Sequence, residues 1–289
     1  MNIHEYECSQ ETKPHGQDNF PFDIYLCSIP IDFTIVPTHW HNAMEIIYIK
    51  KGRGTINVDL SPFQVSEGDI IVVPPGQLHS IEQQSDYSME YENIIFKLSM
   101  LMAPQEDICT EEFFQPMKHG KTLPDTLYTR NSPLYPALSG CLNAIDCICQ
   151  DFAYGYQLAI KGQLFSFFYE LSKSFHSAAS HAHNKSLDRL KGLLKYVETN
   201  YGEKISIADA ARICGFSQSH FMKFFKASMG VSFTDYLNDY RITMAARLLS
   251  SSSDTVVNIA SETGFENLSY FNRVFKRKYQ CTPREFRKK

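Results

Sequence analysis

The chain reads as two domains of unlike class, a β-rich N-terminal half and an all-helical C-terminal half. Three observations carry that expectation. First, a pattern near the C-terminus occurs twice. Ala211, Gly215 and Phe216 return as Ala260, Gly264 and Phe265 at a spacing of 49, and Phe221, Phe225 and Lys226 return as Phe271, Phe275 and Lys276 at a spacing of 50. An alanine four residues before a Gly-Phe pair, followed by a basic amphipathic helix, has the form of a helix-turn-helix unit, here duplicated. Second, charge is split. Lys185 to Lys289 holds 18 Lys+Arg against 10 Asp+Glu, while residues 1 to 184 hold 10 against 22, so the C-terminal part is the one suited to a polyanion. Third, apolar residues fall in short strand-like runs before residue 100 and at helical spacing after Pro133.

The 289 residues suffice for two separate cores. No apolar run approaches the roughly 18 residues of a membrane span. The first residues, Met1 to Glu7, lack the basic region and apolar core of a signal peptide, so the expected location is the cytoplasm. The eight cysteines include no Cys-x-x-Cys and read as free thiols of a reducing compartment.

In order along the chain, residues 1 to about 20 are expected as a loose arm. Runs at Ile24–Ile29, Glu45–Ile49, Gly54–Leu60, Asp69–Val73 and Tyr87–Phe96 are rich in β-branched and aromatic residues and bounded by Pro, Gly and Asn. Short strands so closely spaced predict a small barrel or sandwich. Within them His39, His41 and Glu45 are followed by Gly52, and Gly68 leads to Pro74, Gly76 and His79. Three imidazoles and a carboxylate suit a divalent transition metal. His39 and His41, two apart on a strand, would share the face turned into a barrel.

These two stretches resemble the paired motifs of the cupin superfamily, a β-barrel fold. Phe33 replaces the leading glycine of the first motif, and Gln83 stands where the second often has asparagine. The resemblance implies a cupin-like effector-sensing barrel over residues 1–132. His39, His41, Glu45, His79 and Trp40 are its expected effector-binding residues, and the first four are also the candidate metal ligands. The motif also occurs in sugar-sensing barrels without metal, so no cofactor is required. Trp40, Tyr48, Phe63 and Phe96 are aromatic candidates for stacking on a sugar ring.

Residues 103–132 carry several prolines and are expected as an irregular connector, with Phe113 and Phe114 packing back on the barrel. Leu134, Leu138, Cys141, Leu142, Ile145 and Ile148 form one helical stripe, and Leu158, Leu164, Phe165, Phe168, Leu171 and Phe175 a second run. Residues 133–176 are therefore two appended helices, able either to cover the barrel or to pair with a second chain. Residues 177–186, small and polar, are the expected linker.

From 187 to 289 the reading is all-helical. Leu187, Leu190, Leu194 and Val197 line a first helix; Ser206 with Asp209, Ser217, Ser232, Thr255, Asn267 and Thr282 are helix starts; glycines at 202, 215, 230 and 264 are stops. A long helix from Phe233 to about Ser251 joins the two helix-turn-helix units.

This segment resembles the DNA-binding domain of the AraC/XylS family of bacterial transcription regulators. The signature-like residues are Gly264, Phe265, Tyr270, Phe271, Arg273, Phe275, Lys276, Thr282, Pro283, Phe286 and Arg287. Gln280 replaces the glycine usual before the Thr-Pro turn, and Phe233 sits where the first repeat often has proline. The resemblance implies a double-stranded DNA partner, a small-molecule effector of sugar type, a homodimer built on the appended helices, and a contact with RNA polymerase. Helical geometry assigns Phe221, Phe224, Phe225, Phe271, Val274 and Phe275 to the core. It leaves Ser219, Met222, Lys223 and Lys226 on one exposed face and Ser269, Asn272, Arg273 and Lys276 on its counterpart. Those eight are the expected DNA-binding residues, with Arg273 suited to guanine and Asn272 to adenine. The alternative from another class is a metal-dependent cupin enzyme with an accessory DNA-binding domain.

Overall fold

The structure, a computed structural model, describes residues 16–177 and 185–287 except 18, 33 and 106. Phe33, most of the expected arm and most of the expected linker lie outside those residues. The described residues divide into two compact units, the first ending by Ser177 and the second beginning at Lys185.

In the first unit seven strands follow one another: β1 (Phe22–Ile29), β2 (Ile35–His39), β3 (Met44–Val58), β4 (Ser61–Ser66), β5 (Ile70–Val73), β6 (His79–Gln83) and β7 (Met89–Phe96). All pair antiparallel. β1, β7, β3 and β5 lie side by side, β4 and β6 also pair with β3, and β2 pairs with β6. The runs at Glu45–Ile49 and Gly54–Leu60, separate strands by their sequence, are one strand. Its register slips between Ile49 and Lys51, and Gly52, just past the slip, takes φ +76°. A Cβ on Gly52 would lie 1.9 Å from the Ser88 carbonyl oxygen, so only glycine closes this bulge. β3 pairs with β7 as far as Gly52, and with β5 over Glu45–Tyr48; from Arg53 on it pairs with β4 and β6.

Residue parity along the strands sorts two cores. Ile47, Ile49, Ile71, Val73, Met89 and Tyr91 join Cys27, Ile29 and Ile81 inside the barrel. Met44, Ile46, Tyr48, Ile70, Val72, Ile94 and Phe96 face outward, onto the helices. Glu45 shares the parity of Ile47 and Ile49 and points inward.

The stretch from 103 to 132 is more ordered than its prolines suggest. A helical turn at Thr110–Phe114 runs into α1 (Gln115–Lys118), and β8 (Thr122–Leu123) precedes β9 (Leu127–Tyr128), which extends the sheet beside β5. Phe114 packs on Phe168, with ring centroids 5.2 Å apart. The two appended helices are α2 (Tyr135–Asp151) and α3 (Tyr156–Leu171). α2 buries Leu138, Cys141, Leu142 and Ile145, as its periodicity predicts. In α3 the buried residues are Ile160, Leu164, Phe167, Phe168 and Leu171, while Leu158 is 78% and Phe165 42% exposed. The buried set keeps the spacing i, i+4, i+7, i+8, i+11 that one helix face requires, which Leu158 and Phe165 break. Both helices cover their own barrel. After α3, β10 (His176–Ser177) pairs with β8, and Tyr128 of β9 shares a hydrogen bond with Ser174.

The second unit holds α4 (Lys185–Asn200), α5 (Ile207–Ile213), α6 (Gln218–Met229), α7 (Phe233–Ser251), α8 (Val256–Glu262), α9 (Leu268–Tyr279) and α10 (Pro283–Phe286). Ser206, Ser217, Ser232, Thr255, Asn267 and Thr282 each accept from a backbone N–H in the first turn, and Ser206–Asp209 and Thr282–Glu285 form full capping boxes. Gln280 adopts the left-handed conformation of the glycine it replaces, φ +56°, and its side-chain amide donates to the Arg277 carbonyl at 2.9 Å. Phe233 is buried against Phe221 and Phe225, so an aromatic wedge stands where proline would only start the helix.

Candidate functional site

Two places gather the chemistry that the sequence singles out. In the barrel, β2 delivers His39, the residues just past its end deliver His41, β3 delivers Glu45 and β6 delivers His79. His41 is thus not a strand residue, contrary to its spacing, yet it reaches the same point. All four side chains are buried, and one ligand atom from each lies within 4.8 Å of the others. The Nδ1 atoms of His39, His41 and His79 face the backbone carbonyls of Pro37, Ala43 and Gln77 at 2.9, 3.1 and 3.0 Å. A carbonyl only accepts, so each Nδ1 carries a proton. Glu45 Oε2 lies 2.7 Å from His41 Nε2 and 2.9 Å from His79 Nε2.

That arrangement decides the electrostatics. Burial alone would raise the Glu45 carboxyl, but His79 and His41 outweigh it and hold it well below the usual carboxylate range. Burial, reinforced by His79, keeps His39 well below an ordinary imidazole. Neutral imidazoles protonated at Nδ1 would turn lone pairs, not protons, toward the carboxylate. Such a contact is relieved by a shared cation, either a second proton on a ring or a metal ion. Ring nitrogens pinned by carbonyls are the support that metal-binding histidines use, so the donor set fits a divalent transition ion. Trp40, between two of the histidines, is half-buried, and its indole N–H is buried without an acceptor, as is Gln77 Oε1 without a donor.

The other aromatic candidates lie elsewhere. Tyr48 and Phe96 are in the helix-facing core, Phe96 stacked edge-on against Phe168 at 6.2 Å, because even-numbered residues of β7, and of β3 before its bulge, point outward. Phe63 packs partly on the inner core.

In the helical unit the duplication repeats at atomic detail. Phe216 N–H donates to the Ala211 carbonyl and Phe265 N–H to that of Ala260, both at 2.9 Å. Gly215 and Gly264 take φ +64° and +82° at the turns. Phe221–Phe225 and Phe271–Phe275 lie 5.6 and 5.7 Å apart. The extra residue of the second copy is Glu266, which pairs with Lys204 at 3.7 Å. Ser219, Met222, Lys223 and Lys226 are exposed on α6, and Ser269, Asn272, Arg273 and Lys276 on α9. Phe224 is only half-buried, stacked on Phe216 at 5.0 Å.

Sequence reasoning missed two links that position α9. Asn238 of α7 donates to the Tyr270 hydroxyl at 2.9 Å, and the Arg273 guanidinium lies 5.1 Å from the Tyr270 ring. Lys278, by sequence part of a basic run, instead turns back to Asp239 and Thr243, both at 2.8 Å.

A sheet-built barrel holding a buried donor cluster, in one chain with a duplicated helix-turn-helix unit, defines a DNA-binding transcription regulator with a ligand-binding domain. The comparisons agree. Residues 31–168 match the AraC-like ligand binding domain and residues 210–289 a helix-turn-helix domain. The chain belongs to the AraC family of transcription regulators. It is 24% identical over 281 residues, 96% of each chain, to the uncharacterized HTH-type transcriptional regulator YdeC of Bacillus subtilis. An uncharacterized HTH-type regulator of Staphylococcus aureus is 25% identical over 85% of this chain, which spans only 31% of that longer relative. Among solved structures, ToxT from Vibrio cholerae aligns over 94% of this chain and 98% of its own at 18% identity and TM-score 0.39. The DNA-binding domain of AdpA, in complex with a target DNA, aligns over 35% of this chain and 90% of its own at 22% identity and TM-score 0.34.

Proposed function

We propose that this regulator takes a sugar or related small metabolite into the barrel and couples its binding to promoter binding by the two helix-turn-helix units. The effector is engaged at His39, His41, Glu45 and His79, beside Trp40. The observation that carries this reading is the convergence of three carbonyl-pinned imidazoles on one buried carboxylate. Such a buried polar cluster costs folding energy that an apolar core would not, and binding a ligand is the reason to retain it. The same four residues would hold a divalent transition ion, which would offer an anchor for an effector oxygen.

On the DNA side, Arg273 and Asn272 read base edges, with Ser269, Ser219, Met222 and Lys223 beside them in the major groove. Lys226 and Lys276 contact phosphates. α7, 19 residues and so about 28 Å long, sets the separation of the two reading helices. The chain acts in the cytoplasm as a homodimer, and α3 supports that reading through Leu158, Phe165 and Tyr169, exposed on one face. DNA-bound dimers contact RNA polymerase. Effector binding is passed on through residues 133–176, with the tie from β9 to Ser174 and the β8–β10 pairing as the route out of the barrel.

Capture of genomic fragments by the purified chain, followed by sequencing, tests the reading together with a thermal-shift screen of sugars with and without Mn²⁺, Fe²⁺, Zn²⁺ or Ni²⁺. One enriched operator, with affinity changed by a compound that raises Tm, is expected. Equal capture of all fragments, or no response to any sugar or metal, sinks it. The intact donor set also suits a metal-dependent enzyme with an accessory DNA-binding domain. Product formation with stoichiometric metal in a turnover screen would select that reading.

A further inference from the structure

The barrel interior carries a polar group that the histidine–carboxylate cluster does not use. Asn93, midway along β7, is 2% exposed, and its Oδ1 has no hydrogen-bond partner. Strand parity fixes where it points. Met89 and Tyr91 belong to the inner core and Ile94 and Phe96 to the helix-facing one, so Asn93 faces the inside. The register sets it opposite Ile47 of β3 and Tyr25 of β1. Glu45 opposes Ile95 and is therefore the diagonal neighbour of Asn93 on the inner face, within about 7–8 Å.

The neighbouring inner-face hydroxyls are engaged elsewhere. Tyr25 donates to Asp23 at 2.7 Å. Tyr91 opposes Cys27 across the β1–β7 pair and shares a hydrogen bond with it. Without a ligand, then, the Asn93 carbonyl oxygen stays in the interior with no donor, an arrangement that costs stability and that folded proteins rarely keep without a reason.

We propose that Asn93 is the inner anchor of the effector site, with His39, His41, Glu45 and His79 as the outer anchor. Its Oδ1 accepts a hydrogen bond from a hydroxyl or amino group at one end of the ligand, while an oxygen at the other end engages the histidine–carboxylate cluster. The ligand class is a small molecule with polar groups at both ends, as in a polyol, sugar or amino sugar. This rests on reading the barrel as the effector domain.

The test compares the full-length chain with Asn93→Leu, which is close in volume and needs no hydrogen bond. Trp40, the single tryptophan, reports unfolding of the barrel. In the ligand-free protein Asn93→Leu is expected to raise Tm by about 2 °C or more, because it removes the unmet oxygen. With pentoses, hexoses and amino sugars at about 10 mM, at least one compound is expected to raise the wild-type Tm and to leave Asn93→Leu unmoved, while Lys118→Ala, at the exposed end of α1, keeps the wild-type response. A lower ligand-free Tm for Asn93→Leu would mean that a buried water already satisfies the oxygen, and it overturns the proposal. An equal response of wild type and Asn93→Leu to the same compound also overturns it. If no compound moves the wild type, the sugar reading of the barrel fails and the role of Asn93 falls with it; a compound that moves wild type and Asn93→Leu alike ends the role of Asn93 alone.

Discussion

The two units treat polar side chains in opposite ways, and two glutamates, one buried and one half-buried, show how. Glu45 in the barrel is 2% exposed, yet converging imidazoles hold its carboxyl low. Glu198 in α4 is about half-buried, its Oε1 has no partner, and burial pushes its carboxyl up to about 7 despite Lys195. The barrel keeps a polar cluster inside, one carboxylate held between two imidazoles with a third beside them. The helical unit keeps an apolar, aromatic interior and puts its chemistry outside, on α6 and α9. A small ligand needs to be surrounded, whereas a DNA groove needs a protruding face, so the partner decides which arrangement a domain adopts.

The largest expected effect lies in the barrel. Glu45→Ala leaves the buried imidazoles of His41 and His79 without their common partner and should destabilise the first unit by about 3–5 kcal/mol. Urea unfolding followed by Trp40 fluorescence measures it. An unchanged midpoint would mean that the four residues do not act as one electrostatic unit, and the contrast between the domains would collapse.

A smaller effect is expected on the exposed faces. Arg273→Ala should cost about 1–3 kcal/mol of operator binding and relax base preference at one position. Lys226→Ala should weaken binding to all sequences alike and reduce the salt slope by about one unit. Titrations against an operator library at several salt concentrations distinguish them. Altered preference in the Lys226 variant would reverse the assignment of the two side chains.

The smallest concerns pH. A carboxyl whose folded value, about 7, exceeds the ordinary glutamate value of 4.5 holds a proton that the unfolded chain has lost. Glu198 therefore favours folding below 4.5, and that contribution is lost as pH rises toward 7. Glu198→Gln should flatten the pH dependence of helical-unit stability across this window, as read by circular dichroism. If the slope persists in the variant, Glu198 is not its source.

How much was legible in the sequence differs between the units for the same reason. Helix caps and apolar repeats are local, so Ser206, Ser217, Ser232, Thr255, Asn267 and Thr282 could be read as starts, and the buried faces of α6 and α9 followed from spacing, apart from the half-buried Phe224. Strand contacts are not local. Nothing in the runs around residues 45 and 54 announces that they are one bulged strand, nor that Tyr48 and Phe96 turn to the helices while Asn93 turns inward. Leu158 and Phe165 lie in α3 yet off its buried face, because an apolar residue on a helix carries no mark of which face the sheet will cover.

By itself the sequence determined the family, the order of its two domains, the duplication, and the residue types gathered in the barrel and along α6 and α9. Local backbone preference and side-chain periodicity are enough for that. Only the tertiary structure decided that three Nδ1 atoms are pinned by carbonyls, that Glu45 sits between His41 and His79, that Lys278 leaves the exposed basic run for Asp239, and that Asn93 lies inside with an unmet oxygen. Each depends on register between strands or packing between helices far apart in the chain, where one residue of slip would turn every side chain to the other face.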